Sequence, residues 1–188
     1  MNARLRRLLA DNERIRAEFN GHPHIDVAAV KGSPPERYRV TYRVPGLAWD
    51  SERNRPTDRD RHVVDIYLHS SYPREKPQCT PRTEVFHPNF GNYVCIGDHW
   101  AAGETLTDVI VQIGEMIQYR QYNTKSAINA RAARWAEQHP DLLPIGNVDL
   151  YMPEPEVTIH SLAPPADEEI DISLGPAVEI DDVEIDLL

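Results

Sequence analysis

From Tyr38 to Val44 every second residue is apolar or aromatic, with Arg39, Thr41 and Arg43 between. From Leu106 onward the spacing lengthens, and Leu106, Ile110, Ile113 and Ile117 recur on one face. The first period sets one side of an extended strand against a core, and the second sets one stripe of a helix there. A chain with half-buried strands first and helices afterwards must cover a sheet with helices, so the fold class is α+β with an antiparallel sheet. Residues 2 to 19 add an amphipathic N-terminal helix, with Leu5, Leu8, Leu9, Asn12, Ile15 and Phe19 near one face and Arg4, Arg6, Arg7, Arg14 and Arg16 elsewhere. Strands are predicted at His24–Val30, Arg37–Val44, His62–His69 and Glu84–His87, forming a four-stranded meander. Gly46 to Arg61 is charged and holds Pro56, so it reads as a long exposed loop, and the prolines from Tyr72-Pro73 to Pro81 exclude regular helix there. Thr105 and Asp108 have capping-box spacing before the Leu106 helix. A second helix is expected after Asn123, with Thr124 as its cap and Ile128, Ala132, Trp135 and Ala136 on its face, ending at His139-Pro140.

A chain of 188 residues accommodates one domain of roughly 150 residues and an appendage, placed here at 1–150 and 151–188. The net charge of −10 is unevenly spread: residues 153 to 188 hold eleven Asp or Glu and no Lys or Arg, so the 20 basic and 19 acidic residues before them nearly cancel. A near-neutral body with a polyanionic tail does not suit nucleic acid and points to protein partners. Two cysteines, no signal-peptide pattern and no long apolar run argue against a disulfide scaffold or a membrane span and fit a reducing cytoplasm. Asp11, Glu13 and Glu18 among the first arginines argue against a transit peptide. The tail alternates acids with aliphatics in Glu169-Ile170-Asp171-Ile172 and again from Val178 to Leu188. It is expected either to add as a strand to a partner's sheet edge or to serve as a disordered solubilising segment.

The run from His87 to Gly97, His-Pro-Asn-Phe-Gly-Asn-Tyr-Val-Cys-Ile-Gly, sets Cys95 in a turn-rich segment among small and polar neighbours. A lone thiol there is either an accessible nucleophile or an inert buried side chain. His87, Cys95 and His99 match no usual zinc spacing, and no cofactor is implied. Trp100, Trp135, Tyr38 and Tyr42 read as packing residues, and Cys79 as structural.

Taken in order, Tyr72-Pro73, Pro77, Phe86-His87-Pro88-Asn89, Cys95, Trp100 and Thr105-Leu106 resemble the ubiquitin-conjugating enzyme family. Tyr122-Asn123, Asn129 and Ala132-Ala133-Arg134-Trp135 look more like the stand-alone conjugating-enzyme-like proteins of bacterial ubiquitin-like operons. The resemblance covers residues 1 to about 140 and implies a UBC-like fold: N-terminal helix, meander, active-site cysteine loop and two further helices, here followed by the acidic tail. Family members have about eight positions from asparagine to cysteine, whereas Asn89 to Cys95 is six, so the loop is shortened. Arg74 and Ala101-Ala102-Gly103 stand where eukaryotic members dock a RING ligase through a bulky apolar residue and a Ser-Pro-Ala segment.

The resemblance further implies that Cys95 accepts the C-terminal carboxyl of a ubiquitin-like protein from an activating enzyme. The modifier would then pass from the thioester to an amine of a protein target, with lysine the expected acceptor. With no glycine-rich phosphate loop in the chain, ATP-driven activation falls to that other enzyme. Asn89 is the family's candidate for stabilising the tetrahedral oxyanion, or else a turn former. His87 is a loop brace in the family and a base in the alternative of a cysteine hydrolase. Asp98 and His99 could tune the incoming amine, and Asn123 takes the place of a polar residue facing the thioester. The first helix is expected to dock the activating enzyme through its arginines. A bacterial anti-phage setting is implied by the same resemblance. A non-catalytic adaptor of the same fold, binding a ubiquitin-like protein, is the alternative reading.

Overall fold

The computed structural model describes residues 2–97, 100, 101 and 103–151. The expectations for Asp98, for His99 and for the tail from residue 152 onward lie outside them. Helix α1, Ala3–Phe19, begins at Asn2, whose side chain accepts the Leu5 N–H at 2.7 Å. Its buried line is Leu8, Asp11, Ile15 and Phe19, while Leu5 and Leu9, expected on the inner face, are exposed at its margins. An acid replaces Asn12 on the buried face because it is fully partnered. Asp11 takes Arg7 Nε on both carboxylate oxygens at 2.9 Å and the Tyr72 hydroxyl at 2.6 Å.

Strands β1 (Ile25–Gly32), β2 (Pro35–Tyr42), β5 (His62–Tyr67) and β6 (Gln78–Pro81) form an antiparallel sheet in the order β1-β2-β5-β6. The register Tyr38↔Ile66 and Val40↔Val64 puts these four side chains on the inner face, all essentially without solvent contact. The alternating residues face out, where Arg39 forms a two-point ion pair with Asp65 at 2.8 and 3.0 Å.

Two expectations are corrected here. Gly46 to Arg61 is not an exposed loop: β3 (Gly46–Asp50) and β4 (Arg55–Arg59) form a separate hairpin, with Leu47 and Ala48 buried. Charge hid it because the acids and arginines occupy its turn and outer positions, where Asp50 Oδ1 accepts the Glu52 and Arg53 N–H groups at 3.0 Å. The fourth strand of the sheet is Gln78–Pro81, not Glu84–His87. Val85 and Phe86 are buried as a strand's residues would be, but the Phe86 N–H bonds Leu47 C=O at 2.7 Å, so this segment belongs to the hairpin.

Helix α2 (Leu106–Ile117) starts on the expected capping box, with Thr105 Oγ1 accepting the Asp108 N–H and the Asp108 carboxylate accepting the Thr105 N–H, each at 3.1 Å. Its apolar stripe joins α1 and the inner sheet face in one core, and the Tyr42 hydroxyl donates to Ile110 C=O at 3.0 Å. Helix α3 (Ala130–Gln138) starts later than expected. Its cap is Asn129, which accepts the Ala132 N–H at 3.0 Å, and Thr124 lies in the turn before it. Ala132, Ala136 and Trp135 of α3 pack with Leu47, Phe86, Trp49 and Tyr119 in a second, smaller cluster.

Beyond a single 3₁₀ turn at Pro140–Leu142, the chain runs back along α2 as an extended strap. The Gln118 side chain bonds both the N–H and the C=O of Val148, at 3.2 and 3.1 Å, and His22 Nε2 bonds Leu150 C=O at 3.3 Å. Leu150 is buried over Gly114, where a Cβ would sit 2.3 Å from its Cδ1. No described helix is long and apolar enough to cross a membrane.

Candidate active site

Cys95 lies in the connection from β6 to α2. Phe90 and Val94, both buried, pair across a small loop whose exposed tip is Gly91, Asn92 and Tyr93. The Cys95 N–H donates to Asn89 C=O at 2.9 Å and closes it, while the Val94 N–H bonds Cys79 C=O at 2.8 Å and hooks it to the sheet edge. Six residues from asparagine to cysteine therefore suffice. Val94 and Ile96 are buried in the core, while Cys95 between them is partly exposed. The segment after the cysteine is pinned from two sides. Ile96 C=O accepts Gln112 Nε2 at 3.1 Å, and Gly97 C=O accepts Lys76 Nζ. Gly97 has φ +99°, which a residue without Cβ adopts at little cost.

His87, Pro88 and Asn89 bind this loop to the turn that leads into α3. Pro88 C=O accepts the N–H groups of Ile128 and Asn129 at 3.0 and 2.9 Å. Asn89 Oδ1 accepts the Asn123 N–H at 2.8 Å, and Asn89 Nδ2 donates to the C=O groups of Asn123 and Ser126 at 3.1 and 3.3 Å. Both N–H bonds of that amide are thus directed at backbone carbonyls. His87 is fully buried, edge-on to Phe90 and Tyr119. Its Nδ1 accepts the Asn89 N–H at 3.1 Å and its Nε2 donates to Gln121 C=O at 3.2 Å. Burial lowers its pKa to about 3, opposed weakly by the Gln121 carbonyl. The ring is neutral with both nitrogens engaged, so it clamps two loops and has no lone pair to offer a thiol.

Asn123 sits at the head of the turn. Its Oδ1 accepts the N–H groups of Lys125 and Ser126 at 2.9 and 3.2 Å, an Asx turn. Cys95, Asn89, Asn123, Ser126, Gln121, Tyr122 and Gln112 line one groove of about 410 Å³. Of the site residues expected from sequence, Cys95, Asn89 and Asn123 are brought together there, His87 braces the loop behind, and Asp98 lies outside the described residues. Sequence reasoning missed Gln112, Tyr122 and Ser126. Gln112 carries a legible signal, being a polar residue flanked by Val111 and Ile113 in the middle of the helix. Cys79 is buried, with desolvation pushing its thiol pKa up to about 12, so the two cysteines differ sharply in access. Among the described residues no three His, Cys, Asp or Glu side chains gather as a metal site requires.

No known family profile and no curated protein matches the sequence. Solved structures do match the fold. The E2 domain of a Toxoplasma gondii ubiquitin conjugating enzyme is 20% identical, covers 75% of this chain and 91% of its own, and superposes with a TM-score of 0.54. A second structure, described as a novel ubiquitin-conjugating enzyme, is 19% identical over 73% of this chain and 88% of its own, again at 0.54. The chain has the fold of ubiquitin-conjugating enzyme E2 domains, as the ordered motifs from Tyr72 to Leu106 led us to expect.

Proposed function

We propose that this protein carries a ubiquitin-like modifier as a thioester on Cys95 and delivers it to an amine of a target, a lysine being the expected acceptor. The observation that carries the reading is a partly exposed cysteine opening on a groove that Asn89, Asn123, Gln112 and Ser126 also line, in the loop that follows His87-Pro88-Asn89, on a conjugating-enzyme fold. A thioester is already electrophilic, so the groove has to orient the amine and stabilise the oxyanion and needs no strong base. That suits a site whose histidine is buried and neutral. The activating enzyme would engage α1. Arg4 and Arg7 are committed to contacts inside the molecule, with Glu36 and Asp11, and the exposed Arg14 and Arg16 would serve as steering charges. The acidic tail is read as a strand-adding contact to the same partners, and a cytoplasmic anti-phage pathway as the setting.

The test mixes the protein with an activating enzyme, a ubiquitin-like modifier and ATP, and follows intact mass with and without reductant. A reducible adduct on Cys95, absent from Cys95→Ala, is expected. Deletion of 153–188 should weaken partner affinity while leaving loading intact at saturating partner. An intact wild-type protein that takes no adduct sinks the reading and leaves the adaptor.

A further inference from the structure

Resting on the thioester reading, we infer that the hydrogen-bond donor to the reacting oxygen is the Asn123 side-chain amide, and that Asn89 is a positioning residue which holds it there. Two asparagines line the groove beside Cys95, and their amides are used in opposite ways. Asn89 Nδ2 is spent on the C=O groups of Asn123 and Ser126, so donating to a new oxygen would require the turn to open. In Asn123 the oxygen is the committed end, fixed by the Lys125 and Ser126 N–H groups. Its Nδ2 donates to no other described residue. The Asx turn thus fixes which end of the Asn123 amide remains available, and Asn89, gripping the Asn123 backbone at both its N–H and its C=O, fixes where it sits. A donor oriented before reaction costs no reorganisation when charge develops.

The step runs as follows. The amine nitrogen bonds to the thioester carbon, and the carbonyl π pair moves to oxygen, where Asn123 Nδ2–H receives it. When the C=O bond re-forms, the C–S bond breaks, the Cys95 thiolate leaves with the electron pair, and the proton on the attacking nitrogen passes to water. The donated bond is strongest while the oxygen carries charge, so it favours the transition state over the resting thioester.

The test needs no activating enzyme. Cys95 of the full chain is acylated by exchange with the mercaptoethanesulfonate thioester of acetyl-glycylglycine, excess reagent is removed, and discharge to hydroxylamine is timed by intact mass. Asn123→Ala should slow discharge about 100-fold, the usual cost of one oxyanion donor. Asn123→Asp, which keeps the turn's acceptor but removes the donor, should be at least as slow. Alkylation of Cys95 by iodoacetamide, a displacement with no oxyanion, should keep its wild-type rate in both. Asn89→Ala should lower both the melting temperature and the discharge rate. Discharge of Asn123→Ala within about threefold of wild type, or alkylation slowed in parallel with discharge, overturns the assignment. Should Asn123→Ala fail to fold, the Asp variant is decided by the same two measurements. A wild-type chain that loads from its activating enzyme while Asn123→Ala discharges normally refutes this inference alone. One that never loads refutes the thioester reading instead.

Discussion

His87 ties two parts of the site together, because its ring accepts from the cysteine loop and donates to the turn before α3. That arrangement needs the neutral tautomer with hydrogen on Nε2, and its pKa, near 3 when folded, lies below the ordinary 6.5. Between those values the unfolded chain binds the proton and the folded chain does not, so stability from this residue is complete above 6.5 and falls with pH toward 3. His62 and His22 are also held neutral by burial and act in the same direction. Urea titrations at a series of pH values should show stability declining below neutrality, by about 1.4 kcal/mol per pH unit for each proton taken up. His87→Gln, which cannot protonate, should flatten that slope, and an unchanged slope would remove His87 from the account.

At the scale of elements, the start of α3 separates two readings of one stretch. Asn129→Ala should cost about 1 kcal/mol in chemical denaturation as a lost N-cap, whereas Thr124→Ala should change stability by less than about 0.5 kcal/mol. The sequence pattern places the start at Thr124, and the later start depends on Pro88, whose carbonyl takes the Ile128 and Asn129 N–H groups and keeps 123–128 out of the helix. Tertiary contacts of this kind leave no local trace. The hairpin β3–β4 was hidden for a related reason: its short apolar side, Leu47 and Ala48, is outweighed by the charges on its turn, and its partner Phe86 is distant in sequence. Strand β6 was masked by Pro77 before it and Pro81 within it, although Pro81 stands at its last position, where a missing N–H matters least. Elements with a long clean period or a local cap, α1, β2, β5 and the start of α2, were legible because their signals lie within a few residues of the structure they specify. The candidate site was half legible. Cys95, Asn89 and Asn123 stood out as residue types in a pattern, while the use each amide makes of its two ends is a matter of geometry.

Across the whole molecule, the few residues that carry the family resemblance are its junctions. Tyr72 bonds Asp11 of α1, and Trp100 Nε1 donates to Pro73 C=O at 2.7 Å. His87, Pro88 and Asn89 lace the cysteine loop to the turn after α2, and Thr105 opens α2 itself. Surface and core positions between such junctions can change with only packing volume to satisfy. The fold is thus shared with solved structures to which overall identity is 19 to 20%. Cys79, shut behind the loop that presents Cys95, gives the protein an internal gauge of its own unfolding. In native buffer a maleimide should count one sulfur per chain, and a second should become countable only as fast as the sheet edge opens. Labelling time courses across urea should therefore read the free energy of exposing β6 without a dye or a tag, and rapid capture of both thiols in native buffer would mean that this edge is not closed.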